Sequence, residues 1–435
     1  MPSSIENRRQ RIDSLAYLTP DLPGIGGVIR QRDDDFLVEE QPLYEPSGQG
    51  EHVYLFIEKR GMPTLDVARR VAKAFSVHKG AVGYAGLKDK RAVTRQLFSV
   101  HLPQRGGEDA AVARLAHQPN LTILWVDRHV NKLRRSHHAG NRFVIRIREV
   151  EATDVIKVKR VIDRLQQIGA PNYVGEQRFG FRHNGDDLGR LMLREQYQAF
   201  LDLMLGGPSE DDSPYLHEAR KAYEAGDYFA ALEHWPRRMR YERQAIDALR
   251  QGKSARDAVM SIDRSQRELL IHSWQSRVFN AVLDRRVRDG LFDRLVPGDV
   301  ASPTGSRGVF MVDDAIAEKE NAPDGRMAKL EVSPTGPLWG MDMPQAGGKP
   351  GEIEREQLEA QGLGIDELSK IENLGVAGRR RPMRIVLGLP ELSGGADEHG
   401  PYVKIAFDLP PGSFATMVLR EVMKTGAASA GIDES

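Results

Sequence analysis

Residues 83–99 read GYAGLKDKRAVTRQLFS. The apolar residues at both ends of this stretch predict two short strands, and the glycine and charged residues between them predict a turn. Within the turn, three cations surround Asp89, namely Lys88, Lys90 and Arg91. Nearby positive charge favours the ionised form of a carboxyl group, and an ionised carboxylate can act as nucleophile or base without a metal. A solvated charged turn has the same pattern, so this stretch alone leaves both interpretations open.

The composition indicates a soluble protein with two domains. A chain of 435 residues is too long for one compact core, and its 40 % hydrophobic residues are ample for burial. The formal net charge is zero, so any nucleic-acid binding requires a local basic patch. The absence of cysteine excludes disulfides, thiolate metal sites and cysteine nucleophiles. No stretch resembles a signal peptide or a membrane span, so we expect a cytoplasmic protein.

Two basic runs are candidates for contact with phosphate. Residues 128–148, RHVNKLRRSHHAGNRFVIRIR, contain seven Lys or Arg residues and no acid, and residues 379–384 read RRRPMR. Local clusters of this kind are the expected footprint of RNA binding in a neutral protein. A strand edge protected by charge is the alternative for the first run. The predicted phosphate contacts in the two runs are Lys132, Arg134, Arg135, Arg379 and Arg380.

The central stretch also fits a longer pattern, G-x-K-D-x-x-A-x-T-x-Q, and further motifs follow in order along the chain. They are Arg30 with F-x-V-x-E (residues 36–40), G-N-R-F (140–143), P-N-Y-V-G-E-Q-R-F-G (171–180), Q-S-R-V-F-N (275–280) and L-P-P-G-S-F-A-T with R-E (409–421). This set resembles the TruD family of tRNA pseudouridine synthases. Arg30 stands where many members carry Lys, and Val174 stands where Phe is usual.

The resemblance implies roles for individual residues. Asp89 is the implied catalytic nucleophile, with Arg30 or Lys88 as its cation, and Arg178 is an implied RNA contact. The implied reaction isomerises uridine to pseudouridine at position 13 of tRNA, without cofactor or metal. We expect tRNA as the partner, no membrane, no obligate protein partner and a monomer. The implied substrate-binding residues are Phe36, Glu40, Asn141, Phe143 and Phe414.

The resemblance also implies an α+β fold with a mixed, mainly antiparallel sheet and flanking helices, interrupted by a largely helical inserted domain. Residues 1–168 and 385–435 form the expected catalytic domain and residues 169–384 the inserted TRUD-type domain, with RNA in the cleft between them. Within the insert we expect Trp274 and Phe279 in the core, because large aromatic residues are mostly buried. Two alternatives remain: a non-catalytic RNA-binding protein of the same fold, and a carboxylate-dependent hydrolase that acts on nucleosides.

Overall fold

The computed structural model describes residues 11–425 except 105, 136, 211, 307, 341, 370 and 372–375. These residues form two compact units, a sheet unit (17–172 and 384–425) and a helical unit (11–16 and 173–383). Residues 11–16 belong to the helical unit, whereas the sequence placed them with the catalytic domain. Arg11 forms an ion pair with Asp186 at 3.0 Å, and the amide nitrogen of Ala16 donates to Asp284 at 2.5 Å. The assignment of the units as catalytic and inserted domains stays a prediction.

The strands lie in both units. They are β1 (Phe36–Pro42), β2 (His52–Arg60), β3 (Val82–Tyr84), β4 (Val93–His101), β5 (Leu121–His129), β6 (His138–Arg148), β7 (Ala170–Pro171), β8 (Val300–Pro303), β9 (Phe310–Met311), β10 (Val332–Leu338), β11 (Arg379–Pro382), β12 (Arg384–Ile385), β13 (Gly388–Asp397) and β14 (Gly400–Leu409).

The helices concentrate in the helical unit. They are α1 (Thr64–Ala74), α2 (Glu108–Ala116), α3 (Val155–Ile168), α4 (Gly185–Leu193), α5 (Tyr197–Leu205), α6 (Pro214–Glu224), α7 (Tyr228–His234), α8 (Arg240–Arg250), α9 (Ala255–Met260), α10 (Arg264–Arg288), α11 (Asp314–Asn321), α12 (Gly348–Ala360) and α13 (Ala415–Met423). None of these helices combines the length and the apolar character needed to cross a bilayer.

The large sheet of the sheet unit has the strand order β13-β14-β6-β1-β4-β2-β5, and β3 pairs with β4 beside this path. β1 and β4 are parallel, and the other neighbours in the sheet are antiparallel. The predicted α+β class with a mixed, mainly antiparallel sheet is confirmed. β1 lies between β4 and β6. The turn that precedes β4 and the first residues of β6 are therefore both close to β1.

Helices cover one face of this sheet. Alternate residues of β14, among them Ile405 and Phe407, are buried, as expected when one face of a strand packs on a core. They pack with residues of β6, α3 and α13 in one hydrophobic cluster. A second cluster lies between β2, β4 and α1, where Val67 and Val71 of α1 are buried one turn apart.

The helical unit is built around α10. Trp274 and Phe279 on this helix are 1 % and 0 % exposed, which confirms their predicted burial. Gly189 allows α4 to pack closely on α10, because a β-carbon at this position would lie 2.2 Å from the carbonyl oxygen of Leu270. The antiparallel sheet β11-β10-β8-β9 packs on α10 through β10.

Candidate active site

Asp89 lies in the turn between β3 and β4 and forms an ion pair with Arg30. Nη2 of Arg30 is 2.7 Å from Oδ2 of Asp89, and the two side chains are 11 % and 18 % exposed. Nζ of Lys59, a buried residue of β2, donates to the carbonyl oxygen of Asp89 at 2.7 Å. The buried lysine holds the backbone of the turn, and the carboxylate stays partly accessible. Of the two predicted cations, Arg30 is the one that contacts the carboxylate of Asp89.

The backbone of Arg30 is in the left-handed conformation, with φ = 59°. This conformation is uncommon for a residue other than glycine and costs on the order of 1 kcal/mol or more. The guanidinium carbon lies 4.1 Å from the centroid of the Phe36 ring, which is a cation–π contact. Nε of Arg30 is buried and has no hydrogen-bond partner among the described residues. A donor without an acceptor is therefore fixed close to Asp89.

Arg148 closes the loop that carries Arg30. On one side of the loop, the backbones of Val28 and Arg148 exchange two hydrogen bonds, at 3.0 and 2.8 Å. On the other side, the buried guanidinium of Arg148 donates to Asp35 at 3.0 and 2.7 Å and to Asp397 at 2.6 and 2.9 Å. Hydrogen bonds with Asp397 and Asp35 raise the pKa of Arg148, and the same contact with Arg148 lowers the pKa of Asp397. This network holds both ends of the strained segment.

Lys88 contacts a polar cluster at the edge of β1. Its Nζ lies 2.8 Å from Oε2 of Glu40 and donates to Oδ1 of Asn141 at 2.5 Å. Glu40 is 2 % exposed and also accepts from Nε2 of Gln96 at 3.4 Å and from the amide of Leu97 at 3.3 Å. Glu40 therefore supports the site from within, and its predicted contact with the substrate stays a prediction. Glu40 fixes Lys88, and Lys88 in turn orients the amide of Asn141.

Phe36 and Phe143 form an aromatic floor below Arg30. Their ring centroids are 6.3 Å apart with the planes at 74°, and Phe143 also packs on Phe407 at 5.9 Å. Phe36 is 1 % exposed and lies under the Arg30 guanidinium, which it supports, and its predicted contact with the substrate stays a prediction. Phe143 is 8 % exposed, and its predicted contact with the target base stays a prediction.

Phe414 directly precedes α13 and is half-buried. The preceding strand, β14, ends at Leu409, which pairs with Asn141 of β6. The segment that carries Phe414 therefore starts beside Asn141. The structure brings together Arg30, Asp89 and Phe36 on one side, and Lys88, Glu40 and Asn141 on the other, all within the sheet unit.

Gly140, which precedes Asn141, is required by close packing. A β-carbon at Gly140 would lie 2.6 Å from the carbonyl oxygen of Leu409 and 2.9 Å from Oε1 of Gln41. We expect Gly140→Ala to lower the free energy of unfolding by about 1–3 kcal/mol, a typical cost of overpacking. Gly86 is the matched control, because a β-carbon there would meet no described atom within 4 Å. Urea titration that finds Gly140→Ala as stable as Gly86→Ala would contradict the proposed packing constraint.

The predicted phosphate contacts of the first basic run lie on the segment between β5 and β6. Arg134 and Arg135 are exposed. Nζ of Lys132 donates to the carbonyl oxygen of Gly80, so this lysine also ties the segment to the start of β3. The exposed positions of the two arginines are compatible with RNA contact, which stays a prediction.

The remaining predicted phosphate contacts lie in the helical unit and differ in exposure. Arg379 is exposed and Arg178 is half-buried. Arg380 has a side chain that is only 2 % exposed, and it donates to both carboxylate oxygens of Glu354 at 2.9 and 2.6 Å. This ion pair holds Arg380 inside the unit and does not support its role as an RNA contact, which stays a prediction. Alternate residues of a strand point to opposite faces, and Arg380 points into the unit.

The sequence prediction assigned no role to Lys59 or Gln96, although both hold the site. Gln96 is buried, donates to the carbonyl oxygen of Gly86 at 2.5 Å and accepts from Thr64 Oγ1 at 3.1 Å. The sequence of β2 does contain a signal for the role of Lys59. Every second residue of this strand faces the hydrophobic core, and Lys59 occupies the last of these positions, where a lysine is unexpected unless it has a structural role. Among the described residues, no group of three or more His, Asp or Glu side chains is placed to hold a metal ion.

The family model of tRNA pseudouridine synthase D (TruD) matches residues 12–422 of this chain. The chain belongs to the TruD family. A relative from Geobacter metallireducens, named tRNA pseudouridine synthase D, is 41 % identical over 411 residues, which are 94 % of this chain and 98 % of the relative. A relative of the same name from Thermus thermophilus is 36 % identical over 417 residues, 96 % of this chain and 94 % of the relative.

A solved structure agrees with this assignment. The crystal structure of a putative TruD from Methanosarcina mazei superposes with a TM-score of 0.79 at 26 % sequence identity. The superposition covers 97 % of this chain and 99 % of the other. The resemblance inferred from the motifs is thus confirmed over nearly the whole chain.

Proposed function

We propose that this TruD-family chain isomerises uridine to pseudouridine in tRNA, at position 13, with Asp89 as the nucleophile. The observation that carries the proposal is the Arg30–Asp89 ion pair at 2.7 Å, in a partly accessible turn of a chain matched by the TruD family model over residues 12–422. The names of its relatives and their coverage support tRNA as the substrate. The proposal includes a monomer that acts in the cytoplasm without a cofactor.

The reaction sets the requirements for the site. The bond between N1 of uracil and C1′ of ribose breaks, a bond between C5 and C1′ forms, and the C5 proton is replaced by a proton on N1. Atoms and electrons balance without an oxidant or a phosphate donor. The enzyme must supply an anion at the sugar, a cation to orient that anion, and walls that retain the detached base while it turns.

Asp89 and Arg30 supply the charged part of this site. The carboxylate of Asp89 acts on the ribose, and the Arg30 guanidinium holds it through the Nη2–Oδ2 contact. The planar fork of Arg30 offers further donors, and its buried Nε has no acceptor among the described residues. We propose that an oxygen of the bound nucleotide accepts from this group, which would satisfy a buried donor at the reacting sugar.

Asn141, Phe143 and Phe414 complete the proposed site. Asn141 is oriented by the Lys88 contact at 2.5 Å and binds the sugar or the base through its remaining polar atoms. Phe143 and Phe414 retain the uracil ring. The target uridine must leave its stack to reach Asp89, and contacts with aromatic side chains and phosphates offset the cost of unstacking. Arg134 and Arg135, with Lys132, are proposed phosphate contacts of the sheet unit.

Pseudouridine mapping on a defined RNA tests the proposal. The purified chain is incubated with an unmodified tRNA transcript, and pseudouridine is located by carbodiimide treatment and primer extension. We expect one new stop, at position 13, and none in a transcript with cytidine at that position. Binding without any stop would favour the non-catalytic RNA-binding alternative, and release of free uracil would favour the hydrolase. A stop at another position would refute the assignment of position 13.

A further inference from the structure

We propose that Arg178, His272, Arg379 and Arg381 form a phosphate-binding site for the RNA substrate on the helical unit. These four residues are called the cation cluster below. The inference rests on the proposed function, because it takes the RNA partner from it. It adds two residues, His272 and Arg381, to the RNA contacts that the sequence prediction named.

The register of β11 places two of the arginines on one face. Arg379 and Arg381 alternate with the buried Arg380, and Arg381 pairs with Gly336 of β10. Gly336 lies against Phe279, since a β-carbon there would be 2.8 Å from its ring. The guanidinium carbon of Arg381 is 5.3 Å from the centroid of that ring. The face of β11 that carries Arg379 and Arg381 is thus the face directed at α10.

The helix α10 and the turn before α4 bring the other two residues of the cluster to this face. His272 precedes Phe279 by seven residues, and residues two turns apart lie on the same side of a helix. The neighbouring Ser273 donates through Oγ to the carbonyl oxygen of Arg178 at 2.7 Å. Arg178 lies in a 3₁₀ turn, Glu176–Phe179, so this hydrogen bond fixes the turn against α10 beside His272.

The charges in the cluster act on one another. Burial lowers the pKa of Arg178, and burial together with the charge of Arg178 lowers the pKa of Arg381 to about 10. Desolvation and the guanidinium of Arg178, with a smaller effect of Arg379, lower the pKa of His272. Within the described part of the chain, Glu268 is the acid that acts on His272, and Glu268 is itself bound to Arg264 at 2.8 Å. Arg178 therefore acts on both Arg381 and His272, and an anion bound among these groups would be attracted by the guanidinium charges.

Phosphate is the anion that fits this arrangement. Guanidinium groups bind phosphate oxygens through parallel hydrogen bonds, and the ring of Phe279 supports one face of Arg381. The cluster comes from three separate segments, which suits an extended backbone with successive phosphates. Contacts of this kind position an RNA without reading its sequence.

The salt dependence of tRNA binding tests the cation cluster. The affinity of the full chain for an unmodified tRNA transcript is measured between 0.05 and 0.3 M salt, for wild type and for the double variant Arg379→Gln/Arg381→Gln. Each lost phosphate contact should reduce the slope of log affinity against log salt by about 0.7–0.9. The double variant should therefore lose roughly 25- to 60-fold in affinity at 0.1 M salt, because each contact contributes about five- to eightfold there.

Arg250→Gln is the matched control, because Arg250 lies on α8 and pairs with Asp247 on the surface. This control removes one positive charge from the same unit and should keep the wild-type slope. An unchanged slope in the double variant, or an equal change in the control, would overturn the cation cluster. The same transcript is assayed for pseudouridine with wild type. Wild type that binds with the expected slope and forms no pseudouridine would refute the proposed function and leave the cluster supported.

Discussion

Replacement of Asp89 by Asn is expected to reduce turnover by roughly 10³-fold or more. The amide keeps the size of the side chain and can accept from Arg30, but it carries no negative charge for the ribose. Removal of an essential catalytic group typically costs at least this factor. Affinity for tRNA should change by no more than a few-fold, because Asp89 contributes no positive charge to phosphate contacts. Single-turnover pseudouridine formation at saturating enzyme measures the first effect, and equilibrium binding measures the second.

Asp66→Asn provides the control for Asp89→Asn. Asp66 lies in the first turn of α1 and forms a surface ion pair with Arg69 three residues later, so its replacement changes the same functional group away from the site. We expect wild-type turnover from this control. Residual activity of Asp89→Asn above roughly 1 % of wild type would remove Asp89 from its assigned role, because loss of the catalytic group leaves far less.

Much of the fold could be predicted from the sequence. The order of the motifs and the resemblance to the TruD family together predicted the mixed sheet. The motifs lie on segments that are distant in the sequence, and the resemblance places these segments in one fold. Periodicity indicated the buried face of α10 that carries Trp274. The position of residues 11–16 could not be predicted in this way. It depends on the contact of Arg11 with Asp186, 175 residues away, and no local pattern encodes such a pairing.

The candidate site was predicted less completely than the fold. The sequence offered Arg30 and Lys88 as equal candidates for the cation beside Asp89, and only the strand register separates them. Glu40 pairs with Asn141 across β1 and β6, which brings both within reach of Lys88 and leaves Arg30 with Asp89. Arg380 and Arg381 are identical residues adjacent in the chain, so the sequence alone does not distinguish their environments. Their side chains point to opposite faces of β11, and Arg380 pairs with the buried Glu354.

Lys88→Met is expected to destabilise the protein by about 3–5 kcal/mol. Lys88 and Glu40 have side chains that are 6 % and 1 % exposed, and removal of one partner leaves the other as a buried, unpaired charge. The remaining donors to Glu40, Gln96 Nε2 at 3.4 Å and the amide of Leu97 at 3.3 Å, are too long to replace the lysine. Denaturant titration of the purified variant measures the loss.

The double variant Lys88→Met/Glu40→Gln separates the cost of the unpaired charge from the loss of Lys88 itself. Replacing both partners of a buried pair is usually far less costly than replacing one, so the double variant should recover most of the lost stability. Its turnover should stay below wild type, because Asn141 has lost the donor that orients it. Lys73→Met, on the exposed side of α1, should change stability by less than about 0.5 kcal/mol. If Lys88→Met proved as stable as Lys73→Met, the Lys88–Glu40 pair would not hold the site together.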